Sequence, residues 1–137
     1  MMLVKPSHLF AKQISKYDLI QIIGLIPFLI IGILFRSTFG WIVVINGCLE
    51  HLRVHPWMFH IDVSCNTIMC IYVNLATKWI PLTQLITTIG LIAFCINIQL
   101  EQQYPNQYLW LTTFIHVLII QVGLAICLYK YEYEYQK

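Results

Sequence analysis

Between Leu19 and Phe35 the chain runs for 17 residues without a charge, and Gln21 is the only strongly polar one. At ~1.5 Å per residue a helix of this length crosses most of a ~30 Å bilayer core. The run exceeds the ~7–15 residue core of a signal peptide, and no small-residue cleavage site follows it. We therefore read it as a retained first helix. Pro27 lies mid-segment and is expected to kink it, which a membrane span tolerates when neighbours re-satisfy the freed carbonyl.

The rest of the chain repeats the theme. Of 137 residues, 59% are hydrophobic and 10% charged, with a mean hydropathy of +0.74. A soluble domain carries roughly 25% charged residues, so this chain has too few to cover a water-facing surface. The net charge of +2 is small, and no basic run points to nucleic acid. The expectation is an all-α, polytopic transmembrane helix bundle of about five spans, forming a single domain over residues 1–137.

The expected spans are 19–35, 39–52, 57–75, 79–98 and 108–129. The second is the shortest, is interrupted by Asn46, Glu50 and His51, and ends at His55-Pro56, because a residue before proline leaves the α region. Trp57 opens the third and Lys78-Trp79 marks its far edge; Pro81 suits the first turn of the fourth. Gln99 to Gln107 reads as the one substantial polar loop. Tyr108, Trp110 and Tyr129 bracket the fifth span as an aromatic belt does. The alternating tail from Lys130 to Lys137 reads as a frayed interfacial segment.

Five cysteines (Cys48, Cys65, Cys70, Cys95, Cys127) lie in apolar segments with no CxxC pair, and read as small buried residues. Charge sets orientation weakly. Five spans put Lys5, Lys12, Lys16 and Arg53 on one side and Arg36, Lys78, Lys130 and Lys137 on the other. The cluster before the first helix usually dominates, which favours a cytoplasmic N-terminus.

Ionisable residues inside a membrane are costly and mark function, or at least an interior polar network. Here they are Glu50, His51, Asp62 and His116, supported by Asn46, Asn66, Asn74 and Gln121. The connection between the second and third spans places His51 and Asp62 at similar depth. The fifth span starts from the same face, so His116 falls within a few ångströms of that level at ~1.5 Å per residue. Asp62 and Asn66, four apart, share a helix face. Three helices can thus gather His51, Asp62, Asn66 and His116.

Two imidazoles and a carboxylate are the ingredients of a zinc site. Catalytic zinc needs three protein ligands and an open position for water. His51 and His116 are the candidate metal ligands, with Asp62 a third ligand or the acceptor that fixes a histidine tautomer. His55, at a helix end, and His60, facing elsewhere, are weaker candidates. The bland alternative is a hydrogen-bonded network holding helices together, each bond contributing ~0.6–2 kcal/mol.

Gly47-Cys-Leu-Glu-His51, followed after ten intervening residues by Asp62, resembles the first half of the signature of the alkaline ceramidase and progestin/adipoQ receptor superfamily. Those seven-helix membrane proteins carry Ser-x3-His late in the second helix, Asp early in the third and His-x3-His in the last. The resemblance implies zinc held by histidines, with Asp and Ser supporting it, and hydrolysis of a lipid amide by zinc-bound water. His51 takes the place of the first histidine, Asp62 of the aspartate, and His116 of the first histidine in the closing motif. Gly47 stands where the family has serine and Ile120 where it has its third histidine, and five spans replace seven.

Two functions are therefore carried forward. One is a small multi-pass protein whose polar cluster serves packing or binds a membrane lipid or partner, with homo-oligomers or a partner membrane protein in view. The other is a reduced, zinc-dependent lipid amide hydrolase with Asp62 and Asn66 as catalytic residues. A proton-coupled transporter using Asp62 and His116 is a third class, but no inverted repeat is visible and five helices need oligomerisation to form a pore.

Overall fold

The computed structural model describes residues 14–135. Lys5 and Lys12 of the N-terminal cluster, and Lys137, lie outside the described residues. Helices account for 82% of the described residues, and no strand occurs among them. The elements are α1 (Lys16–Ile23), α2 (Ile26–Leu34), α3 (Thr38–His51), α4 (Met58–Ala76), α5 (Pro81–Gln103), α6 (Leu109–Phe114), a π-helical stretch (Ile115–Gln121) and α7 (Val122–Tyr135). They form five rods, because α1 and α2 run on from one another, as do α6, the π stretch and α7. Three of the rods, Lys16–Leu34, Pro81–Gln103 and Leu109–Tyr135, are long and apolar enough to cross a membrane. Of the other two, α3 has 14 residues and α4 carries Asp62, Asn66 and Asn74.

Local chemistry sets the rod boundaries. Ser15 and Asp18 form a reciprocal capping box at the start of α1, satisfying donors that a helix end leaves open. The expected kink at Pro27 is instead a break three residues earlier. Proline has no N–H and its ring clashes with the carbonyl four residues back, here Ile23. The chain tightens at Gly24–Leu25, where the Leu25 N–H donates to the Ile22 carbonyl at 3.0 Å, and α2 restarts with Pro27 in its first turn.

At the far end of α2, the Ser37 Oγ accepts from the Gly40 N–H at 3.2 Å and donates to Glu132 of α7. Arg53 closes α3 in a left-handed conformation (φ 56°), with its N–H donating to the Glu50 carbonyl and that of Val54 to the Leu49 carbonyl. Lys78 and Trp79 are both left-handed (φ 52° and 55°), and this reverses the chain between α4 and α5.

Two expectations are corrected here. Gln99 to Gln103 extend α5, so the loop is only Tyr104 to Tyr108. The tyrosine-rich tail is helical as far as Tyr135. Tyr131 and Glu132 are buried in it, and the Tyr135 hydroxyl donates to the Ala76 carbonyl at 3.1 Å. Alternate tail residues are apolar or paired, so packing holds the segment in place.

The rods alternate in direction. Arg53 pairs with Asp18 at 2.9 Å, so the start of α1 and the end of α3 meet at one end of the bundle. Ser37, Glu132, Ala76 and Tyr135 meet at the other. The apolar core joins Leu25, Phe28 and Ile31 of the first rod, Val43 of α3, Met69 and Val73 of α4, and Ala125, Cys127, Leu128 and Tyr131 of α7. No residue of α5 belongs to its buried set; Ile86 packs against its edge.

Candidate functional site

The polar residues singled out from the sequence divide into two groups, with His116 common to both. The first lies where α3 meets the π stretch. Glu50 and His51, the last two residues of α3, are each 4% exposed, and His51 Nδ1 lies 2.8 Å from Glu50 Oε2. A proton on Nδ1 donates to the carboxylate, which leaves Nε2 to face elsewhere. The His116 ring stands perpendicular to that of His51, with centroids 5.2 Å apart. Carboxylate, imidazole and second imidazole thus form a chain of contacts from the end of α3 to the last rod.

The second group is on α4, where Asn66 Nδ2 donates to Asp62 Oδ2 at 3.2 Å. Asp62, Asn66 and His116 all line a cleft of about 290 Å³ between α4, α5 and the last rod. Its walls are otherwise mostly apolar and include Ile71, Ile86, Leu91, Phe94, Ile120 and Leu124. Lower down, Asn74 Nδ2 donates to the Cys70 carbonyl at 2.9 Å and to Thr87 Oγ1 at 3.0 Å, tying α4 to α5. That leaves Asn74 Oδ1, on a side chain 2% exposed, as a buried acceptor without a hydrogen bond among the described residues.

The structure thus brings His51 to His116 and Asp62 to Asn66, and sets His116 on the cleft that Asp62 and Asn66 also line. Among the described residues, no three His, Cys, Asp or Glu side chains gather in a group that could hold a metal ion. Glu50 already engages His51, as an outer-sphere partner does in metal sites. Two imidazoles alone do not complete the three-ligand set of catalytic zinc. His55 accepts from the Trp57 N–H in the exposed turn after α3, and His60 contacts the rings of Trp57 and Phe59.

The two departures from the superfamily pattern have local settings. A Cβ on Gly47 would fall 2.8 Å from Leu25 Cδ1, so a serine there requires the Leu25 side chain to shift. Ile120 is buried and supplies apolar wall to the cleft.

Other polar residues serve the scaffold. Because Leu25 donates to Ile22, the Gln21 carbonyl loses its helical donor, and Gln121 Nε2 replaces it at 3.0 Å. Gly24 makes room for this; a Cβ there would lie 1.8 Å from Gln121 Oε1. The break in the first rod and the wide turn of the last rod therefore fit one another. Single π turns are rare and frequent at functional sites, and this stretch carries His116.

Sequence reasoning missed the Asp18–Arg53 pair, the Ser37–Glu132 bond and buried Asn97. Only the first had a readable sign, the Ser15-x-x-Asp18 capping pattern. Comparison with family models, with curated proteins and with solved structures finds no match to this chain.

Proposed function

We propose that this chain is a small multi-pass membrane protein that binds a lipid-like amphiphile in its intramembrane cleft. The hydrocarbon chain lies along the apolar walls and the polar part meets Asp62, Asn66 and His116. The cleft carries this reading: about 290 Å³ of space, walled mainly by apolar side chains, with the ionisable groups Asp62 and His116 beside Asn66 in the lining. Ligand sites are commonly apolar pockets of ~300–1,000 Å³ with a few converging polar groups. Among the described residues no lysine or arginine lines the cleft, so a neutral amphiphile suits it better than an anionic one.

The His51 ring, itself paired with Glu50, packs against the His116 ring. Asn66 holds the Asp62 carboxylate in place. Together they supply an acceptor and an imidazole to a hydroxyl or amide headgroup.

The test is solvent extraction of the purified protein followed by lipid mass spectrometry. The reading predicts roughly one bound lipid per chain, lost in large part from an Asp62→Asn, His116→Ala double variant. Lipid no more abundant than on an unrelated membrane protein of equal size would sink it.

The contact between His51 and His116 supports a second reading, a reduced zinc-dependent lipid amide hydrolase. It predicts about one zinc per chain by elemental analysis, lost when both histidines become alanine, and release of fatty acid from a lipid amide. Metal-free protein without such activity would eliminate it.

A further inference from the structure

Gly90 sits in the middle of α5 and lines the cleft, and a Cβ built on it meets no atom within 4 Å. Glycine weakens a helix interior relative to alanine. Close packing does not account for it here, since the space beside it is open.

The cleft has two different ends. Toward the start of α4 lie Asp62, Asn66, His116 and Phe94. At the other end the Asn74–Thr87 bond ties the helices together. Just past it, the hydroxyls of Thr77 and Thr83 approach to 3.5 Å, and Thr83 is fully buried. The left-handed pair Lys78–Trp79 then joins the two helices. The cleft is therefore a wedge closed at the α4–α5 turn, and Gly90 lies partway along it.

The twelve helical steps from Asp62 to Asn74 span about 18 Å at 1.5 Å per residue. One leaflet of a bilayer core is about 15 Å deep. The wedge thus has the depth of a single acyl chain of ordinary membrane length.

We infer that Gly90 sets the length of acyl chain this protein accepts: its missing side chain keeps the wedge continuous from the polar end to the Asn74–Thr87 floor. This rests on the lipid-binding reading above. A side chain at position 90 divides the wedge, leaving room for a short chain above it and excluding a long one.

The experiment uses the full chain in phosphatidylcholine nanodiscs. It is exposed to two neutral probes, palmitoyl ethanolamide and decanoyl ethanolamide, each with a photoreactive diazirine at the chain end. In the natural protein the palmitoyl tip should label floor residues around Asn74, Trp79 and Cys127, and the decanoyl tip should label nearer Cys70. Along the series Gly90→Ala, Gly90→Leu and Gly90→Phe, palmitoyl labelling at the floor should fall at least tenfold by leucine, while decanoyl labelling persists. The alanine variant adds one methyl to open space, and decanoyl labelling reports that each variant remains folded.

Palmitoyl tips that label only around Asp62 and Phe94 in the natural protein would overturn the inference. So would a series that loses both probes in parallel or neither. Absence of competable labelling by either probe would instead remove the lipid-binding reading beneath it.

Discussion

The two flanks of this bundle are built differently. Where the first rod, α3 and α7 meet, the interior is filled. Phe28 and Leu128 have no exposed surface, the broken first rod interlocks with the π stretch through Gln121, and Ser37 bonds Glu132 across the base. Where α4 faces α5, the helices are tied at one end and leave a cleft along the rest. Close packing makes every lost methylene felt, whereas a wall facing open space loses few contacts when trimmed. The filled flank is the scaffold, and the open flank is where, on the proposed function, a ligand would gain contacts that the protein does not make with itself.

The largest contrast should come from truncating one aromatic on each side. Phe28→Ala should cost about 3 kcal/mol, the low end for a buried phenylalanine, since lipid tails are as apolar as the core they replace. Phe94→Ala, on the cleft, should cost under about 1 kcal/mol. Reversible unfolding in mixed micelles measures both, and equal losses would remove the distinction.

The interlock ranks next. Gln121→Leu leaves the Gln21 carbonyl without its donor and should cost about 1–2 kcal/mol. Amide exchange should quicken first around Gly24 and Leu25. Gly24→Ala should do similar damage by driving its methyl into the Gln121 amide. Exchange that accelerates uniformly along the chain would show that the break and the π stretch are not coupled.

Smaller still is the α1 cap. Asp18→Ala removes both the capping box and the partner of Arg53, and should cost about 1 kcal/mol. Gly90→Ala, on the open flank, has the opposite sign: a gain of about 0.5–1 kcal/mol from helix propensity with nothing to clash against. A loss at Gly90 would mean that the cleft is tighter than its geometry indicates.

Much of the scaffold could be read from the chain, and little of the site. The uncharged run from Leu19 onward and the prolines at 27, 56 and 81 locate the rods, because apolar length and missing N–H groups act locally. Pro27 signals a disturbed helix, but not that the carbonyl freed at the Gly24–Leu25 break is satisfied by Gln121 from a hundred residues away. Helical depth correctly suggested that His51 and His116 could meet. It could not show that the Glu50 carboxylate engages His51, or that Asp62 faces a cleft whose existence depends on how α4 and α5 diverge. A π stretch leaves no mark in hydropathy, and an empty space beside Gly90 has no residue to announce it.

The most direct test of the account is native mass spectrometry of the protein released from its membrane, beside Gly90→Phe, which blocks the cleft to a long acyl chain without touching the filled flank. The account predicts one retained lipid on the natural chain and its loss from the variant, with unfolding stability unchanged or raised. Equal lipid on both proteins, or none on either, would contradict it.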